Sequence, residues 1–151
     1  MAKPTAEELE PPLGYFNYAD SYLYAAKQLV ALDLKITHRL APIYFLYHQA
    51  IELYLKAFLR LNKQTLHDIK GHKFVLLARK AAKFGMSFDD EDKLVFELLD
   101  SSDVVITARY LRVGLTTRPS MEALDRTCDS VRDLVAIRMK KDGEKIRLFP
   151  K

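Results

Sequence analysis

Residues 47–61 read YHQAIELYLKAFLRL. The stretch is apolar almost all the way round, and one thin polar line interrupts it: His48, Glu52, Lys56 and Arg60. Residues four apart sit about 40° further round a helix, so these four side chains form one gently spiralling stripe. A helix so apolar belongs at the centre of an all-α domain. It is expected to run from Arg39 or Pro42 to Asn62, since proline is tolerated only in the first turn. Glu52 precedes Lys56 by four residues, the better orientation for a helical ion pair, worth about 0.2–0.5 kcal/mol. The stripe is either the wet edge of a buried helix or part of a site. Spacing alone favours the solvated edge. The wide apolar surface, with Tyr44, Phe45, Tyr47, Tyr54 and Phe58, raises the other possibility: a groove between two subunits that bury what one chain leaves uncovered.

Helical periodicity extends to both sides. Tyr15, Tyr18, Tyr22, Ala26 and Leu29 recur at three- and four-residue spacing, with Asn17, Asp20, Ser21, Lys27 and Gln28 on the other face. After the central helix, NKQTLHDIKG breaks the pattern at Gly71. A third helix is expected from His72 to Phe84, stopped by Gly85. A fourth opens near Ser87 and Asp90, where Asp89 to Asp92 suit a helix N-terminus, and runs to about Leu99. SSDVVITARYLRVGLTTR (101–118) reads as a long connection. Pro119 and Ser120 open a last helix whose apolar face is Met121, Leu124, Cys128, Val131, Val135 and Ile137. These elements make an antiparallel bundle of about five helices. The organisation is a flexible N-terminal arm (1–12), a helical domain (13–140) and a basic C-terminal tail (141–151).

Composition sets the bounds. A chain of 151 residues that is 49% hydrophobic and 29% charged is neither disordered nor membrane-spanning. Cys128 is the sole cysteine, so neither an internal disulfide nor a cysteine-based zinc site is possible. With no apolar leader in MAKPTAEELEPP, the expectation is a cytoplasmic protein. The net charge of +4 is uneven: SFDDEDKLVFELLDSSD is acidic and RMKKDGEKIRLFPK basic. That tail can draw in phosphate by counterion release, although a solvated tail is the commoner explanation. GxSxG, Walker and CxxC motifs are absent. HDIKGH, with His67 and His72, is a weak metal motif, and neither metal nor cofactor is expected.

The combination of YHQAIELYLKAFL with GHKFVLLARKAAKFG resembles the HEPN domain (higher eukaryotes and prokaryotes nucleotide-binding). The residues that carry it are His48, Gln49, Ala50, Glu52, Leu53, Lys56 and Ala57, then Gly71 and His72. TARYL, with Arg109 and Tyr110, is similar to an Arg-Tyr found later in many members. The likeness spans roughly Tyr15 to Lys140.

The resemblance implies an all-α bundle, commonly homodimeric, with a cleft between protomers. Many members are ribonucleases of toxin–antitoxin or defence systems, and others are non-catalytic and associate with nucleotides or a nucleotidyltransferase-like partner. Ribonuclease members carry Arg, four to six residues, then His, late in the bundle. This chain has no histidine after His72, and its one match to the spacing, Arg60 to His67, is displaced to the end of the central helix. The expected function is therefore a non-catalytic nucleotide- or RNA-phosphate-binding and dimerisation module, with His48, Glu52, Lys56, His72, Arg109 and Tyr110 as binding candidates. The alternatives are a metal-independent ribonuclease, with Arg60 and His67 as its candidate pair or His48 or His72 with Arg109 as substitutes, and a purely structural partner subunit. No membrane association is expected.

Overall fold

The computed structural model describes residues 2–102 and 117–147. The described residues form two four-residue helical turns, α1 (Ala6–Leu9) and α4 (Leu66–Ile69), and five longer helices. The longer ones are α2 (Pro12–Leu32), α3 (Leu40–Leu61), α5 (Phe74–Ala82), α6 (Asp90–Ser102) and α7 (Met121–Lys141). No strand occurs among the described residues. The expected all-α bundle of about five helices is the architecture observed.

Helix α3 is the hub, packing most extensively on α2 and also on α7 and α5, while α6 bridges α5 and α7. Twelve of its 22 residues are buried. One protomer thus covers Tyr44, Tyr47, Tyr54 and Phe58 and leaves Phe45 half-buried, so the apolar surface of α3 open to a second subunit is smaller than its sequence suggests. Helix directions follow from side-chain pairs. Asp20 meets Tyr54 and Arg39 bonds the Val30 carbonyl, so α2 and α3 are antiparallel. Tyr47 meets Asp125 and Arg138 meets Asn62, so α3 and α7 run in the same direction.

Local chemistry sets the helix ends. Ser120 Oγ accepts from the Ala123 N–H and starts α7. Thr65 and Asp68 cap each other reciprocally and form α4 inside the stretch read as a break. A second such box, Thr5 with Glu8, builds α1 inside the stretch read as an arm. Gly85, at φ 97°, closes the turn after α5 in the left-handed region where glycine is unstrained. The basic tail leaves α7 at Lys141, and Ile146 packs back against the core.

The faces of two helices differ from the reading of their periodicity. On α2 the buried residues are Phe16, Ala19, Asp20, Leu23 and Ala26, whereas Tyr18 is exposed. Asp20, expected outside, is buried because Tyr54 and Arg132 both donate to its carboxylate. On α7, Leu124, Cys128, Val131 and Val135 are buried as expected, but Ile137 is exposed and Met139 takes the next core position. Two residues beyond Val135 is about 200° of rotation, and four residues returns to the same face.

Candidate functional site

The polar stripe on α3 is not a solvated edge. His48 and Glu52 are buried, and the Lys56 side chain is only 11% exposed. His48 turns into the bundle, its ring edge-on to Phe74 with centroids 4.5 Å apart. The four-residue spacing survives as a line, but its members have different surroundings.

Glu52 is the centre of a small ionic cluster. Its Oε1 lies 2.8 Å from Lys56 Nζ, the ion pair expected from the spacing, and 2.8 Å from His72 Nδ1. Its Oε2 is also buried and has no hydrogen-bond partner among the described residues. An ionised carboxylate only accepts, so His72 Nδ1 must donate. This fixes the ring so that Nε2 is its free polar edge, on a side chain 73% exposed.

The loop carrying His72 is held at three points. The Asp100 carboxylate, from α6, accepts from the Phe74 and Val75 N–H groups at 2.7 and 3.0 Å and so caps α5. Lys80 Nζ donates to the Asp68 carbonyl at 2.6 Å. Gly71, at φ 102°, supplies the left-handed turn just before His72. Lys70 and Lys73 flank the loop, both exposed. Asp100 was not legible as a contributor: its partners lie 25 and 26 residues away, and no spacing rule links them.

The other candidates do not join this cluster. Arg60 gives its guanidinium to three backbone carbonyls, Glu7 at 2.8 Å, Glu10 at 3.3 Å and Gln64 at 2.8 Å. It therefore pins the N-terminal segment and the α3–α4 turn. His67 is exposed on α4, and among the described residues no hydrogen bond or ion pair joins it to Arg60. Asp68, between the two histidines of HDIKGH, is engaged in its own capping box, whose Thr65 N–H and hydroxyl hold its carboxyl below the ordinary value of 3.8. Among the described residues no three His, Cys, Asp or Glu side chains are grouped to hold a metal ion. Arg109 and Tyr110 lie outside the described residues.

With this geometry in place, the family model for the HEPN domain matches residues 15–140. The chain belongs to the HEPN domain family. Neither a curated protein nor a solved structure matches it. The match runs from the first turn of α2 to the last turn of α7, so every long helix of the bundle falls inside the HEPN domain. At the level of the family, this makes the chain a nucleotide- or RNA-related module. Among the described residues of this HEPN bundle, no helix is long and apolar enough to cross a membrane.

Proposed function

We propose that this HEPN domain is a non-catalytic binding and dimerisation module, and that the Glu52–Lys56–His72 cluster receives a phosphate of a nucleotide or RNA. One observation carries the reading: a single buried carboxylate oxygen holds both Lys56 and His72. A buried carboxylate that orients an exposed imidazole presents its second nitrogen to solvent in a fixed direction. Protonated, that nitrogen donates to a phosphate oxygen, and Lys70 and Lys73 add charge beside it. A cytoplasmic location, a toxin–antitoxin or defence setting and a nucleotidyltransferase-like partner belong to the same reading. Its dimerisation arm draws support from Leu32, Ile36 and Leu40, exposed apolar side chains that cluster in sequence around the α2–α3 turn.

A metal-independent ribonuclease is the second reading, favoured by the same Glu52–His72 pair. An imidazole held at Nδ1 by a carboxylate is suited to take the ribose 2′-hydroxyl proton through Nε2. Arg60 and His67 fit that role less well, because Arg60 is committed to backbone carbonyls.

Labelled single-stranded RNA and free adenine nucleotides, titrated without metal into wild type, His72→Ala and Lys70→Gln/Lys73→Gln, test both. Binding that weakens at least about tenfold in His72→Ala and falls with salt supports the module. Cleavage lost in His72→Ala selects the ribonuclease. Absence of any binding leaves the purely structural subunit. Light scattering at micromolar concentration checks the dimer, and a strict monomer removes that arm of the reading.

A further inference from the structure

A second site lies between α5 and α6 and shares no residue with the Glu52 cluster. Ala78 and Ala82 leave space on α5, and the opposing wall carries Phe88 and Phe96, edge-to-face with centroids 5.1 Å apart. The cavity measures about 290 Å³, open on one side. That volume is room for about ten water-sized groups, at the small end of ligand pockets. Three charged side chains complete the lining: Arg79, Lys93 and Glu97. None of them makes a hydrogen bond or ion pair among the described residues. The site thus joins an apolar wall to two cations opposed by one carboxylate.

We propose that this cavity binds a small monoanion with a hydrocarbon body, of the class of medium-chain carboxylates. The hydrocarbon lies against Phe88, Phe96 and the two alanines, where its burial is favourable. The carboxylate meets Arg79 or Lys93, and Glu97 balances the remaining cation. A nucleobase fits less well, because its polar edges would face an apolar wall that offers no partners. A single inserted side chain from a second copy of the chain is the competing occupant.

Octanoate, 1-octanol and octylammonium, each titrated into the full chain by calorimetry and by NMR observation of the alanine methyl groups, test the assignment. Octanoate is expected to bind one to one, at least about tenfold tighter than either analogue, and to shift the Ala78 and Ala82 methyls. Ala82 is exposed, so Ala82→Leu or Ala82→Phe fills the cavity without opening the core, and either abolishes binding. Arg79→Gln/Lys93→Gln removes the preference for octanoate over the alcohol. The proposal is overturned if octanoate does not saturate at millimolar concentration, if the three ligands bind alike, or if the methyl shifts fall elsewhere. It is equally overturned if Ala82→Phe changes the oligomeric state while octanoate leaves wild type untouched, which assigns the cavity to a second copy.

Discussion

Asp20 and Arg132 meet across 112 residues of sequence, with Nε 2.9 Å from Oδ1 and Nη2 3.3 Å from Oδ2. The guanidinium also lies 5.5 Å from the centroid of the Phe16 ring, and the Tyr54 hydroxyl donates to the same Oδ1. Three helices, α2, α3 and α7, are thereby tied through one buried carboxylate. Burial together with the nearby Asp20 charge pushes the Tyr54 hydroxyl far above its ordinary pKa, so it remains a donor at any physiological pH.

Replacing Asp20 with Ala removes the carboxylate that Arg132 and the Tyr54 hydroxyl share, although Asp133, 4.0 Å from the Arg132 guanidinium, remains. The expected loss is about 3–5 kcal/mol, the usual cost of removing one member of a buried pair. Urea denaturation measures it. A loss below about 1 kcal/mol would show that Arg132 swings out to water at little cost.

Arg60→Ala should free the segment before α2 rather than weaken ligand binding. Glu7 and Glu10 lose the donors that hold their carbonyls, so amide exchange across Thr5 to Glu10 should rise and proteolysis there accelerate. Lys does not rescue, because a single ammonium cannot span three separated carbonyls as a planar guanidinium does. Unchanged exchange in Arg60→Ala would dismiss the pin.

The capping box of α4 gives a signed pH dependence. Asp68 in the folded chain titrates below its ordinary 3.8, owing first to the Thr65 backbone N–H and then to the Thr65 hydroxyl. Its cap therefore stabilises the fold above about pH 4 and is lost as pH falls through the depressed value. The stability difference between wild type and Asp68→Asn should shrink on acidification below 3.8, and denaturation series at pH 6 and pH 3 would reveal it. A difference that grows in acid contradicts the sign.

Cys128 is fully buried on α7, and burial, reinforced by the Asp129 charge, pushes its thiol well above the ordinary value. A protonated, enclosed thiol is inert. Iodoacetamide should leave the native chain unmodified and label one site per chain in denaturant. Rapid native labelling would mean that α7 opens locally far more often than its packing implies.

The sequence carried most of the fold and less of the site. Helix α3 was legible because its apolar residues leave no other place for it, and the expected span of Arg39 or Pro42 to Asn62 differs little from Leu40–Leu61. Helix α7 was announced by Ser120, whose cap is local chemistry. Helix α2 was harder. It offers two periodic sets about 100° apart, Tyr15–Tyr18–Tyr22 and Phe16–Ala19–Leu23, and tyrosine suits a boundary as well as a core. Nothing near Asp20 in sequence signals that its partners await it 34 and 112 residues further on. The Glu52–Lys56 pair follows from helical spacing, whereas His72 joins it only through tertiary structure, and its place among the candidates came from the family resemblance.

The Asp100 cap has a consequence for the order in which the chain is assembled. Helix α5 is only nine residues long, too short to persist alone in water, and its first two N–H groups are satisfied by a side chain from α6. Helix α5 is thus unfinished without α6, so its amides should lose protection from exchange whenever α6 detaches. His72 lies just before that capped start of α5, so its place beside Glu52 should depend on the docking of α6. A lesion anywhere in the α5–α6 contact would thus register at a histidine it never touches.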